Sequence, residues 1–365
     1  MNSIALIPYA PLPADHGGKA ETWKMLQCLR ELGSCTILSA RRRPVGMGWT
    51  PETVAEVENL GFRTAFREDE EPRRFRPGRA WGLAYGAGCK AARLERAFGH
   101  ANPYHRCAFD PAWIARRSES ADLAVFAYSF WAGFPAACPK VVLLLDVWSD
   151  YMWGGRKRET QDLKTADLVI VISKQEERSL HERGITRTLW SPPFVAAQEL
   201  PDSERIGLLG SANAFNREGL RWLGPGLSAA PIQVFGRLAA FAAGPGFEPV
   251  GRYADARDPY RACGIILMTT AAGMGVQIKS IEALAAGRAI VARRGAMRGI
   301  PPGDGAWIEV DTPEEMRTAA RRLQQDAAAR RAQMEAAREY YRRHLDVVRL
   351  REELKTALRR TAGQP

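Results

Sequence analysis

The chain has 365 residues, 46% hydrophobic and 25% charged, a length for two or three domains and a balance that excludes a disordered chain, a collagen or a small disulfide scaffold. Apolar runs such as 141–145 and 168–172 have five residues, far short of the roughly 18 a membrane span needs. The formal charge is +11 and unevenly spread, with fifteen basic against nine acidic residues in 41–117 and thirteen against six in 317–360. Two basic surfaces of that kind suit anionic lipid or nucleic acid, and equally an arginine-rich solvated surface.

The opening residues carry neither a basic leader nor a long apolar core, so a cytoplasmic protein is expected, peripheral to the inner membrane face if its basic surfaces meet lipid. The six cysteines, at 28, 35, 89, 107, 138 and 263, include no pair at two-residue spacing. Free buried thiols are expected, with no zinc site.

In chain order, residues 4–7 read as a buried strand that feeds a loop with Pro8, Pro11 and Pro13, and 19–32 show helical spacing through Ala20, Trp23, Leu26, Cys28 and Leu29. A strand follows at 35–39. The Arg-rich stretch 41–80 lacks steady periodicity and reads as loops with short helices. Strands are expected at 122–127, 140–145 and 167–173, with a helix at 157–166. Near-continuous apolar strands alternating with helices predict a parallel sheet covered on both faces.

The proline-rich, polar segment 191–204 reads as a domain junction. Beyond it the pattern repeats: strands at 206–210, 232–235, 248–251, 264–268 and 289–292, helices near 216–224, 259–262 and 276–286, and long helices from 313 on. The expected architecture is two doubly wound, Rossmann-like α/β domains, 1–198 and 199–337, with ligands at the carboxyl ends of the strands in a cleft.

A Walker loop is absent, as is a full Gly-x-Gly-x-x-Gly at the first strand, so ATPase and NAD-dehydrogenase readings lose their main support. The phosphate signal lies late. Gly273, Met274 and Gly275 stand between a strand and a helix that carries Lys279 and Glu282. Glycines there let backbone N–H groups approach an anion at the positive end of the helix dipole. A lysine for a diphosphate and a glutamate for a ribose diol would together hold a sugar nucleotide, although a glycine turn before a solvated helix reads the same way.

The order of these pieces resembles the C-terminal domain of GT-B glycosyltransferases, specifically the family-four group. The matching residues are Gly210 and Ser211, a helix led by Asn216, Gly236 after a short strand, Gly251 with Tyr253 and Asp255, then Tyr260, and the Gly273–Gly287 stretch. More loosely, Asp15, His16, Gly17 and Gly18 resemble that family's glycine loop facing the donor diphosphate, and 165–173 its last N-domain strand. The resemblance implies donor contacts from Gly17, Gly18, Gly210, Ser211, Asn216, Gly236, Gly251, Tyr253, Gly273, Met274, Gly275, Lys279 and Glu282. It also implies transfer of a hexose-like unit to a hydroxyl with retention, the donor phosphate aiding deprotonation of the acceptor. No metal or cofactor is implied beyond the nucleotide sugar as co-substrate, because cationic side chains and helix dipoles take the metal's place.

The chain departs from the full pattern. The family's first glutamate, eight positions before Glu282, is Met274 here, and an Arg and Lys of the first loop are replaced by Ser211 and Asn216. The sugar end of the donor site is therefore left open. Asp146 at a strand end and His16 in the glycine loop stand as catalytic candidates, the first to orient the acceptor, each readable also as an ordinary loop or cap residue.

The acceptor is expected to be a lipid-linked or cell-envelope glycan, with a hydroxymethylated DNA base as the alternative. A sugar-nucleotide epimerase and a non-catalytic nucleotide-sugar binder remain in view. Aromatics at 126–131, Trp148 and Trp153 suit core packing or stacking on sugars or bases. Family chains end in a helix that crosses back onto the first domain, so residues 338–362 are expected to pack there. Arg342, Arg343 and Arg349 would then join the basic surface of 41–117 in one face for an anionic membrane or nucleic acid.

Overall fold

Short apolar segments become the strands of two all-parallel sheets. The computed structural model describes residues 1–14, 17–41, 48–70, 84, 109–151, 155–225, 231–273 and 275–364. The chain forms two compact units, 1–191 with 351–365, and 192–350.

The first unit holds β1 (Asn2–Leu6), β2 (Ser34–Ser39), β3 (Arg63–Phe66), β4 (Leu123–Ala127), β5 (Lys140–Leu144), β6 (Leu168–Val171) and β7 (Thr188–Trp190), in the order β3-β2-β1-β4-β5-β6-β7. Strands β4, β5 and β6 are buried along their whole length, as expected for a parallel sheet covered on both faces. Registers such as Leu144↔Val171 bring the carboxyl ends of neighbouring strands level.

The second unit holds β8 (Ile206–Leu209), β9 (Ile232–Phe235), β10 (Phe247–Gly251), β11 (Ile265–Met268), β12 (Ala289–Arg293) and β13 (Ile308–Val310), in the order β10-β9-β8-β11-β12-β13. Each sheet reverses its strand order beside its first strand, which opens a crevice at the carboxyl edge.

Two parts of the expected organisation are corrected. The stretch 41–80 was read without a strand, yet β3 forms the sheet edge there, and β7 forms the opposite edge. Edge strands pair on one side only and are short, so neither has an apolar run to betray it. The units change over at Ser191, seven residues before the expected boundary. Helix Ala327–His344 belongs to the second unit, and the return to the first begins at Arg351, within helix Val347–Thr361. Leu354 and Leu358 are buried there, while Arg351 and Lys355 both pair with Glu31.

Candidate functional site

The carboxyl edge of the second sheet gathers most of the residues singled out above. Lys279 lies in the first turn of helix Ile278–Ala285, and its Nζ donates to the Leu209 carbonyl (3.1 Å), Asn216 Oδ1 (3.1 Å) and Thr270 Oγ1 (3.3 Å). An ammonium has three protons to give, so this lysine ties the ends of β8 and β11 to helix Ala214–Leu223. Burial, reinforced by the charge of Arg298 and opposed by Glu282, depresses its pKa to about 8.

Asn216 is a junction. Its Nδ2 donates to Ser211 through the carbonyl (3.0 Å) and hydroxyl (3.2 Å), and its Oδ1 also accepts from Thr270 (2.9 Å). The helix does not start at Asn216 as expected. Asn213 is its N-cap, accepting from the Asn216 N–H at 2.8 Å, and the Asn216 side chain is left to serve the loop.

Glu282, one turn after Lys279, accepts from the hydroxyl of fully buried Tyr260 at 2.8 Å, and Tyr260 also donates to the Lys279 carbonyl at 3.2 Å. Burial raises the Glu282 pKa above its ordinary value, against the lowering effects of Tyr260 and Lys279. Tyr253, two residues past Gly251 at the end of β10, is 40% exposed, packs edge-on against Phe235, and feels the Glu282 charge. A carboxylate beside an accessible aromatic ring is a suitable pair for a nucleoside, the ring for the base and the carboxylate for hydroxyls.

Two glycines have demands of their own. Gly236, at φ +79°, lies so close to Gly210 that a β-carbon would stand 2.5 Å from its carbonyl oxygen, so this pair lets two strand ends meet. Gly273, at φ +139°, faces Arg298, whose Nη2 would be 2.4 Å from a β-carbon. Arg298 is held by donation from Nη1 to the Thr270 carbonyl at 3.0 Å. It is a second cation at this turn, absent from the sequence reading because a lone arginine in a loop has no periodicity or motif. Gln277 braces the same turn, its Nε2 donating to the carbonyls of Thr270 (2.7 Å) and Ala296 (2.8 Å). Gly275 lies on the helix side of the turn, and Met274 lies outside the described residues.

In the first unit, Gly17 and Gly18 are the first residues of helix Gly17–Leu32, where backbone N–H groups lack helical partners. Asp15 and His16 lie outside the described residues, as does Trp153. Asp146 follows the end of β5, half-buried, and desolvation raises its pKa to about 6. Of the aromatic run, Phe126, Phe130 and Trp131 are buried in the core.

The single basic face is corrected in part. Arg342 pairs with Glu335 (2.7 Å) and Glu339 (3.0 Å), Arg343 with Glu339 (3.5 Å), and Arg349 donates to the Arg343 carbonyl (3.1 Å). Glutamates on the same helix thus offset the arginine charge, and all three arginines precede the returning segment. Most of the basic stretch 41–117 lies outside the described residues. Among those described, no cluster suits a metal ion, and no helix is long and apolar enough to cross a membrane.

No family model and no curated protein matches the sequence. Solved structures do match. The chain is similar to HepE of Anabaena in complex with UDP (TM-score 0.68, 12% identity, 98% of this chain and 99% of that one). It is similar also to sucrose-phosphate synthase of Thermosynechococcus elongatus (0.62, 16%, 99% and 99%) and to the lipopolysaccharide outer core galactosyltransferase WaaB (0.60, 13%, 98% and 99%). Those proteins are GT-B glycosyltransferases, and the two parallel-sheet domains described above have that fold.

Proposed function

We propose that this protein is a glycosyltransferase that moves a hexosyl unit from a nucleoside diphosphate sugar to an acceptor hydroxyl, with retention, in the manner of the family-four group. The observation that carries this reading is the convergence of Lys279, Glu282, Tyr260 and Tyr253 at the carboxyl edge of the second sheet, in a chain with the GT-B fold. In this reading Tyr253 covers the base, Glu282 takes the ribose diol, and Lys279 with the N–H groups of the Gly273–Gly275 turn neutralises the diphosphate as it leaves. HepE was solved with UDP and glucose together, which makes UDP-sugars the first donors to try. An acceptor that is a membrane-associated glycan completes the proposal.

A thermal-shift panel of UDP-, GDP- and dTDP-sugars, followed by donor turnover in EDTA, tests it. At a hundred times Kd a ligand of the folded state stabilises by about 2.7 kcal/mol, so one base is expected to raise Tm clearly, with the nucleoside diphosphate released on addition of acceptor. Absence of a shift with every nucleotide sugar at millimolar concentration would reject the site. Conversion of the donor to an epimer without acceptor would replace transfer by epimerisation.

A further inference from the structure

Residues 238–247 of the second unit contain only apolar side chains, glycine and proline, yet part of this segment faces outward. Leu238, Ala239 and Ala242 are buried and fix it to the sheet, as do the Leu238 N–H, which donates to the Gly210 carbonyl at 3.0 Å, and the Gly246 carbonyl, which accepts from the Ile232 N–H at 2.9 Å. Phe241 is 46% exposed, and Ala240, Ala243 and Pro245 are exposed with it. A single apolar residue at a surface needs no explanation, but a contiguous apolar loop marks a place where something binds. Between this loop and helix Ala214–Leu223 lies a cavity of about 510 Å³, within the roughly 300–1,000 Å³ of small-molecule sites. Phe241, Ala243 and Phe247 line it from the loop, and Arg217, Leu220 and Arg221 from the helix.

The helix side brings two cations. The Arg217 guanidinium stands 5.3 Å from the centroid of the Phe241 ring, and Arg221 Nε donates to the Arg217 carbonyl at 3.4 Å. Neither arginine has a carboxylate partner among the described residues. The carboxylates of adjoining segments are engaged elsewhere: Glu218 pairs with Arg293 (2.9 Å), Glu314 with Arg317 (2.8 Å), and Glu248 accepts from Gln233 (3.1 Å). The cavity is also remote from the donor edge along its helix. Gly224, the C-cap at the far end from Asn216, is on its wall, and Phe247 is the first residue of β10, at the amino edge of the sheet.

We propose that this cavity binds a small amphiphilic anion, a phosphate or carboxylate carried on an aromatic or short alkyl body. The loop wall has no side chain able to hydrogen-bond, so it suits only an apolar body, which two phenylalanines and Leu220 would cover. The guanidinium groups of Arg217 and Arg221 present forked donors that match a phosphate or carboxylate in geometry as well as charge. A second copy of the chain docking through the same patch about a two-fold axis would set arginines against arginines, so the occupant brings the negative charge. A flat anionic surface would meet the arginines and leave the cavity empty, whereas a small amphiphile fills it. The site is independent of the glycosyl-transfer reading and uses none of the donor-site residues.

Isothermal titration of the full chain with octyl phosphate below its micelle concentration tests this, with inorganic phosphate, 1-octanol and phosphatidylglycerol vesicles in separate arms. Octyl phosphate is expected to bind one to one, about tenfold or more tighter than inorganic phosphate or 1-octanol, with the same affinity when UDP is present in excess. Replacing both arginines, Arg217→Gln with Arg221→Gln, is expected to cost about tenfold. Ala243→Trp, which fills the cavity and keeps both arginines, should cost about as much, and both variants should keep the melting temperature of the unmodified chain. Equal affinity for inorganic phosphate and octyl phosphate, binding to vesicles alone, displacement by UDP, or unchanged affinity in either variant would overturn the site. A chain that binds octyl phosphate in this way and no UDP keeps this site while the donor reading falls, and one that binds UDP alone loses this site while the donor reading stands.

Discussion

Lys279 gives the proposed donor site a pH signature that an ordinary surface lysine lacks. Its pKa lies at about 8 because burial and the Arg298 charge disfavour the ammonium, so in the empty protein it is roughly nine-tenths charged at pH 7 and one-tenth charged at pH 9. An anionic diphosphate beside it restores the charge, and binding must then carry a proton in from solvent. The expected consequence is a loss of about tenfold in apparent UDP affinity between pH 7 and pH 9, or about 1.4 kcal/mol, with uptake of about 0.8 proton per UDP at pH 8.5. Isothermal titration in two buffers of different ionisation enthalpy measures both. Lys279→Met should bind more weakly at pH 7 and show neither effect. A UDP affinity that is flat to pH 9 in the unmodified chain, with no buffer dependence of the enthalpy, would remove Lys279 from the diphosphate site.

Two further outcomes follow from the buried carboxyls. Glu176 has a folded pKa of about 8 against an ordinary 4.5, so its neutral form is favoured by the fold. That contribution is complete below pH 4.5 and is lost as pH rises through 8. Glu176→Gln should therefore gain stability over the unmodified chain by roughly 1 kcal/mol at pH 5, growing to roughly 5 at pH 9; calorimetric melting at pH 5, 7 and 9 reads this, and a pH-independent difference would contradict it. Tyr260→Phe removes the hydrogen bond that lowers the Glu282 pKa. It should raise that pKa further and weaken UDP by about 1 kcal/mol at pH 6 with a smaller loss at pH 8, whereas an equal loss at both would assign Tyr260 to packing alone.

What the sequence made legible and what it hid divide along one physical line. Runs such as 141–144 and 168–171 announce buried parallel strands because both faces need apolar residues, and the Gly273–Gly287 stretch stands out because its glycines, lysine and glutamate have fixed spacing. Helix Lys174–Glu182 escaped notice because its buried positions are Leu180 and Glu176, so the stripe that periodicity detects is broken by a carboxyl. Arg298 escaped because a polar residue in a loop reads as solvated unless its neighbours in space are known, and Ser173 because it read as the end of the strand expected at 167–173. The hidden residues are thus polar groups placed where apolar ones would be more stable. A sequence whose local preferences agree with its fold nearly everywhere concentrates its disagreements where another requirement acts. Here those disagreements fall at the carboxyl edges of the two sheets: Lys279 and Arg298 in one, Ser173 and Glu176 in the other.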